Sequence, residues 1–412
     1  MPMPAWKRTY FVVFISNLVT AVAMMSFLPF FPSFLEELGL ANREAVEWWS
    51  GLCFGAAPFA AAVMGPIWGS LSDRLGHKLM IVRALFAITI FVGAMAFVTT
   101  PMQLFVMRLC QGVFSGFIPP SITLVSVSVP RARQGRVAGN LQAALAAGSV
   151  FGPLLGAALG PAYGMRVVFV VVAASAAVSA FLVMFFATED ASLLSSYERW
   201  SPGIVLRGVY GDFVRILRMP VLGRALLVLV AVQFGLGATT PQMELFVRDV
   251  TGSDDPEAAK AMAASLFTVL SIATLVATPL WGQLTDRVGA WRVLWSSAVV
   301  SGLILGLHAA VPAFALLVVA RVFLGGAAAG SNTAGFGLAA TETQPENRGA
   351  AMAVTFSAKA LAVSLGAMVG GALCSWIGLA LVFVITGTLT SVIALVVVLL
   401  ARRAMPPSSS AQ

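Results

Sequence analysis

Charged side chains are scarce in this sequence, 10% of its 412 residues, against about 25% in ordinary soluble domains. A soluble fold of this size could not cover its surface with so few. Histidine is nearly missing: His77 and His308 stand on different segments, so no histidine metal site can be assembled. The three cysteines, Cys53, Cys110 and Cys374, are an odd set without metal-ligand spacing. Each falls in or at the edge of an apolar stretch and reads as a small buried hydrophobe. None of the four lysines, Lys7, Lys78, Lys260 and Lys359, follows a glycine, so the Gly-Lys-Ser/Thr loop that cradles nucleotide phosphates is absent. No nucleophile, base and orienting group occur at matching depth. The chain is therefore not read as an enzyme, and neither a cofactor, a metal site nor direct ATP hydrolysis is expected.

What fills the chain is apolar residues, 59% of the total. Twelve apolar segments can be marked, at 9–35, 48–71, 79–98, 101–128, 137–160, 164–187, 221–247, 261–283, 292–311, 313–340, 349–373 and 376–401. Each reaches the roughly 20 residues a helix needs to cross ~30 Å of hydrocarbon. The segments lack the period-2 alternation of membrane barrels, which leaves helices as the spanning structure. The fold class is an all-α membrane protein. The first segment has no small-residue cleavage site after it and is too long for a signal-peptide core, so it reads as a retained span.

A polar phrase occurs twice between these segments. Gly69-Ser70-Leu71-Ser72-Asp73-Arg74-Leu75-Gly76 returns as Gly282-Gln283-Leu284-Thr285-Asp286-Arg287-Val288-Gly289, 213 residues on. Such a repeat predicts two matching halves. The basic residues fall on alternate loops. Lys7, Arg8, Arg74, Lys78, Arg83, Arg133, Arg136, Arg215, Arg218, Arg224, Arg287, Arg292, Arg348, Arg402 and Arg403 are among those on one side, and only Arg43, Arg166, Arg248 and Lys260 on the other. This bias puts both termini in the cytoplasm. It also accounts for the net charge of +8 without invoking nucleic acid.

The stretch 188–220 interrupts the pattern with charged and small residues, and 203–218 within it can form an amphipathic helix on the inner surface. The expected organisation is a six-helix bundle over 1–187, a cytoplasmic linker over 188–220, a second six-helix bundle over 221–403 and a disordered tail over 404–412.

The phrase at 69–78 resembles the loop 2–3 signature of the major facilitator superfamily, with His77 where an Arg or Lys is common and a second copy that loses its basic tail after Gly289. Arg108, Gln111 and Gly112 resemble the fourth-helix motif of that family, and Arg321, Gly325 and Gly326 repeat it. Gly148, Gly152, Pro153, Gly156 and Gly160 resemble the glycine motif of drug–proton antiporters. The run from Trp48-Trp49-Ser50-Gly51 to Pro66-Ile67-Trp68-Gly69 resembles the MdtG-like branch of multidrug exporters. The resemblance implies twelve transmembrane helices in two pseudo-symmetric six-helix bundles of an inner-membrane protein. It further implies alternating access and proton-coupled efflux of hydrophobic or amphipathic small molecules. The expected partners are a small-molecule substrate, protons and the lipid bilayer, and the chain is expected to act as a monomer.

The residues themselves nominate the working parts. Asp73, with Arg74, Lys78, Gly69 and Gly76, and its repeat Asp286 with Arg287, sit where the two bundles must meet or part at the cytoplasmic mouth. They can lock that side, or they can merely fix topology and the turn. Arg108 and Arg321 lie well inside apolar segments, where an arginine must face a cavity or a partner. They either tune cavity charge and proton coupling or bond carbonyls and glutamines to hold helices together. Lys359 stands about 15 Å along its helix from Gly349, at 1.5 Å per residue, near mid-membrane. It could carry protons, attract an anionic substrate, pair with an acid, of which Glu244 is the nearest candidate, or snorkel to the inner face. Glu244 is the one carboxylate well within an apolar stretch. It follows Pro241 and Gln242, where a kinked or broken helix is expected, and it is the preferred proton carrier. Asn17, Met24, Met25, Gln142, Gln233, Gln242 and Asn332 are candidates to line the cavity. The glycines at 148, 152, 156 and 160 form a smooth stripe for close helix packing or for rocking. An exporter or facilitator of an anionic metabolite, drawing on Lys359 and the intramembrane arginines, is the alternative function, and a non-transporting membrane sensor a further one.

Overall fold

A computed structural model of the protein describes residues 4–129, 133–189, 201–252, 255–344 and 347–404. Of the tail expected over 404–412, Ala404 ends the last helix and residues 405–412 lie outside the described residues, as do residues 190–200 of the linker. Among the described residues there are twelve helical spans and no strand. The first span combines α1 (Ala5–Met25), a 3-10 turn at Leu28–Phe30 and α2 (Phe31–Glu37). α3 (Arg43–Leu75) and α4 (His77–Met95) follow, and the fourth span is divided into α5 (Pro101–Phe114) and α6 (Ile118–Ser128). α7 (Gln134–Tyr163) and α8 (Met165–Phe186) complete the first half. α9 (Pro202–Arg218) leads into α10 (Pro220–Thr239), the short α11 (Met243–Thr251) and α12 (Pro256–Val288). α13 (Ala290–Leu307), α14 (Phe314–Thr341), α15 (Arg348–Ile377) and α16 (Leu379–Ala404) finish the second half.

The repeat seen in the sequence returns as repeated local chemistry. Asn42 caps α3 and Asp255 caps α12, each accepting from the backbone N–H two residues on at 2.9 Å. Gly76 and Gly289 end those helices at φ +101° and +93° and open the next ones. Only glycine holds that backbone cheaply, so the last glycine of the phrase is the corner between two spans. Trp68 donates its indole N–H to the Val113 carbonyl, and Trp281 donates to the Gly326 carbonyl, both at 2.6 Å. Each of these pairs is 213 positions apart.

The halves differ at the fourth span, whereas the break of the first span between α1 and α2 recurs in the second half between α10 and α11. The fourth span is interrupted at Ser115–Phe117, with Gly116 at φ +113° and Pro119-Pro120 opening α6, whereas α14 runs unbroken. The apolar pattern predicts a seventh span over 221–247, but the helix stops at Thr239. Pro241 has no N–H to continue the ladder, so the chain turns at Thr240–Gln242 and restarts as α11.

Packing follows the duplication. In the first half α1 lies along α7 and α8, α3 along α5 and α4 along α8. In the second, α10 lies along α15 and α16, α12 along α14 and α13 along α16. The halves meet through α3 against α15 and α7 against α12. α9 touches α3, α10 and α15, and its Ile216 packs with Leu222, Leu226, Ala351 and Val354.

Apolar burial separates helix from lipid only weakly, so small residues that admit close backbones decide which helices pack. A Cβ at Gly112 would overlap the Ala57 carbonyl, and one at the repeat position Gly325 would overlap the Leu270 carbonyl. The antiporter-type stripe is used the same way: Gly148, Gly152 and Gly156 lie against Ala21, Met25 and Ser26 of the first span, with Pro153 buried between them. Replacing Gly112 or Gly325 with leucine is expected to lower the thermal midpoint in detergent, since overpacking costs ~1–3 kcal/mol. Gly65→Leu, where nothing lies within 4 Å, is expected to leave it unchanged.

Candidate functional site

An even number of spans puts the two ends of the chain and α9 on one face, the terminus face. The opposite, far face is closed by charge. Arg248 of α11 donates through Nη1 to Glu36 Oε1 at 2.8 Å and through Nη2 to Glu244 Oε1 at 2.7 Å and Ser33 Oγ at 3.0 Å. Ser33 donates its hydroxyl to Glu244 Oε1 and its backbone N–H to Oε2 at 3.4 Å. Glu244 has no exposure at all. Beside this, Arg43 makes a two-pronged bond to Asp249, at 2.6 and 2.5 Å, and a third bond to Glu47 at 3.0 Å. Gln242 donates to the Glu47 carbonyl at 3.1 Å. Ser33, Glu36, Arg43 and Glu47 belong to the first half, and Gln242, Glu244, Arg248 and Asp249 to the second. The whole arrangement is a clasp between halves.

Its members are unequal. The Arg43–Asp249 pair is half exposed (side chains 50% and 42%), and exposed pairs contribute ~0–1 kcal/mol. Glu244 is sealed, and removing the partner of a buried charge costs ~3–5 kcal/mol. The clasp therefore depends on Arg248 and Glu244 more than on Arg43.

Further bonds join the halves toward the far face and at mid-depth. Ser364 of α15 donates to the Gly55 carbonyl of α3 at 2.6 Å, and Thr268 of α12 to the Val150 carbonyl of α7 at 3.1 Å. Gly51 and Gly371 bring α3 and α15 into backbone contact. At the terminus face the picture is open. Asp73, Asp286 and Arg287 are exposed and form no ion pair among the described residues, and nothing lies within 4 Å of a Cβ placed at Gly69. The last turns of α12, from Thr278 to Val288, are largely exposed. Arg74 buries an unpartnered Nη2. The turn at Gly76 is held by Glu189, which accepts from the backbone N–H groups of His77 and Lys78 at 2.7 and 2.9 Å. Arg83 lays its guanidinium 3.6 Å from the Trp68 ring centroid.

The buried arginines have different surroundings. Arg108 donates to the carbonyls of Cys53 at 2.9 Å and Phe54 at 3.3 Å and to Gln111 Oε1 at 2.7 Å. It lies beside the Phe27 and Phe31 rings, and Gln111 reaches Met24 Sδ at 3.9 Å. These are the bonds of an arginine that holds helices together. Arg321 is 3% exposed, donates through Nη2 to Met243 Sδ at 3.0 Å and leaves Nε without a partner. Lys359 is half-buried in the first half of α15 and forms no ion pair among the described residues.

Several expectations need correction. Glu244 lies in α11, beyond the break expected at Pro241, and is bound by Arg248 and Ser33 rather than free in a cavity. It does not meet Lys359, because it is committed at the far face while Lys359 lies toward the terminus-face end of α15. Gln242, expected in the cavity, is fully buried in the clasp instead. Gln233 and Asn332 come together at 3.4 Å, and Met24 joins Gln111. Asn17 is buried with both amide atoms unpartnered. Met25 packs against Gly152, and Gln142 is exposed. Sequence reasoning missed Ser33, Glu36, Arg43, Glu47, Arg248 and Asp249 as a unit. The signal available was the pair of i,i+4 spacings, Arg43 to Glu47 and Glu244 to Arg248.

Two bundles of six spans, joined by a charged clasp on one face and without an ion pair between them on the other among the described residues, have the architecture of a membrane transporter. The Major Facilitator Superfamily model matches residues 13–263 and 253–412, and the chain belongs to that family. It is 27% identical over 290 residues to the multidrug resistance protein MdtG of Proteus mirabilis, covering 70% of each. To MdtG of Dickeya zeae it is 29% identical over 324 residues, 78% of this chain and 77% of the relative. The nucleoside transporter NupG superposes with a TM-score of 0.75 at 15% identity, over 98% of this chain and 100% of NupG. A bacterial homologue of the lysosomal transporter Spinster, captured inward-facing and occupied, gives 0.77 at 15% identity over 99% and 100%. Both likenesses show the fold.

Spin labels at Glu44 and Glu257, exposed at the far-face starts of α3 and α12, report the separation of the halves there. Arg248→Gln is expected to add a longer distance to the distribution, whereas Arg43→Gln leaves it close to that of the wild type.

Proposed function

We propose that the protein exports hydrophobic or amphipathic small molecules across the inner membrane in exchange for protons, as a monomer working by alternating access. The observation that carries this reading is the position of Glu244: a sealed carboxylate at the joint between halves, whose bonds to Ser33 of the first half exist only while the far face is shut. The basic-residue bias places the terminus face in the cytoplasm. The far face is then the outer one, and the arrangement described is the one that admits substrate from the cell. A proton from the outer water added to Glu244 removes the charge that Arg248 and Ser33 hold, and the outer face is released. Return to the shut state requires the proton to leave. Asp73, Arg74 and Lys78, with Asp286 and Arg287, would close the cytoplasmic face in the opposite state. The names of the MdtG relatives support a multidrug substrate range, as does a wall rich in Phe and Met, 28 and 17 in the chain.

Glu244→Gln is expected to abolish uphill efflux driven by an imposed pH gradient in proteoliposomes while retaining downhill exchange. Full gradient-driven efflux in this variant would sink the assignment.

The second reading, export of an anionic metabolite, is favoured by one observation, the cations Lys359 and Arg321 without ion pairs among the described residues. Cells expressing the protein are expected to lose a lipophilic dye faster than an anionic one. The reverse order, abolished by Lys359→Ala and kept by Lys359→Arg, would favour the anion.

A further inference from the structure

The duplication points Arg321 to a partner it does not touch in this state. Arg108 and Arg321 are 213 positions apart, and part of their surroundings is repeated. Gly112 against the Ala57 carbonyl matches Gly325 against the Leu270 carbonyl, and the two tryptophan–carbonyl bonds match as well. Other correspondences break: Phe27, 5.5 Å from the Arg108 guanidinium, becomes Thr240, and among the described residues Arg321 forms no bond like those of Arg108 to the Cys53 and Phe54 carbonyls. Gln111, which bonds Arg108 at 2.7 Å, is replaced at the repeat position by Leu324. Phe31, whose ring lies 5.3 Å from the Arg108 guanidinium, is replaced by Glu244. The first half thus satisfies its arginine with a glutamine and carbonyls. The second has lost the glutamine, leaves the Arg321 Nε orphaned, and carries an acid where the first half carries a phenyl ring.

We infer that Arg321 is the second counter-charge of Glu244: when the far face opens, α11 turns about its axis and the Glu244 carboxylate, which keeps Arg248 one turn away on the same helix, exchanges Ser33 of the first half for Arg321. Met243, the residue now touching Arg321 at 3.0 Å, is the immediate neighbour of Glu244 on α11. Successive residues of a helix are about 100° apart, so a rotation of that size replaces the thioether by the carboxylate at the guanidinium. α11 is free to make it, being nine residues long and divided from α10 by the Thr240–Gln242 turn. The groups facing Glu244 now are Ser33, Glu36 and Arg248, and His308 lies in the field of Arg321. A buried guanidinium with one sulfur acceptor is poorly compensated, and Glu244 loses both Ser33 bonds when the halves part. Pairing them compensates both. The inference rests on Glu244 as the coupling acid and adds to it an ion pair for the outward-open state.

The test uses the Glu44 and Glu257 spin-label pair in purified full-length protein without substrate. Arg321→Gln is expected to reduce the ratio of long to short far-face distances by about tenfold, and Arg321→Lys to restore most of it. In the Glu244→Gln background Arg321→Gln is expected to change nothing further, because no carboxylate remains to be paired. An equal reduction in both backgrounds would overturn the inference, as would no reduction with Glu244 present. A shift that needs an added anionic compound would assign Arg321 to substrate instead. Loss of gradient-driven efflux is scored separately with Glu244→Gln. The coupling reading can therefore fail in flux while the Glu244–Arg321 dependence stands in the distances, or the reverse.

Discussion

Inside a bilayer an apolar helix gains little by exchanging lipid for another apolar helix, and everything in this molecule follows from that constraint. Association falls to the few places where backbones touch and to the few polar bonds that hydrocarbon makes costly to break. Within each half such places are many: the glycine stripe of α7 on α1, Gly112 on α3, and Gly237, Gly366 and Gly370 between α10 and α15. Between the halves the described bonds lie at mid-depth and the far face, where α3 and α15 also touch backbone to backbone at Gly51, Gly55 and Gly371. The contact between halves is therefore extensive but concentrated toward one face.

The halves were legible in the sequence because the repeated phrase performs a backbone task. Gly76 and Gly289 occupy a conformation that only glycine holds cheaply, so the spelling of the corner was preserved along with its geometry. The spans were legible because their length and apolarity are set by the bilayer rather than by neighbours. The clasp was not. Glu36 and Arg248 are 212 positions apart, in segments read separately, and nothing local marks one as the other's counter-ion. The apolar run over 221–247 passes through the expected break at Pro241 into α11 for a related reason. Met243, Leu245, Phe246 and Val247 are apolar because they are buried in protein, and hydropathy does not distinguish that from burial in lipid.

Arg108 and Arg321 show how much a motif match can and cannot say. Both were marked by the same intramembrane anomaly, and both proved buried. One is satisfied by carbonyls and Gln111, the other by a single sulfur. The distinction lies partly in the residue three positions on, Gln111 against Leu324, and partly in the Cys53 and Phe54 carbonyls, whose bonds to Arg108 have no counterpart at Arg321 among the described residues.

The interrupted fourth span gives the two bundles unlike mechanical character. A continuous helix resists bending through every rung of its hydrogen-bond ladder, and α14 keeps all of its rungs through the length of the second bundle. The first bundle carries a joint at Ser115–Phe117 where the rungs are missing, and Trp68 pins one side of that joint by its bond to Val113. Load placed on the contact between bundles is therefore shared unequally. At the fourth span the first bundle offers a pinned elbow, where the second offers the unbroken rod of α14.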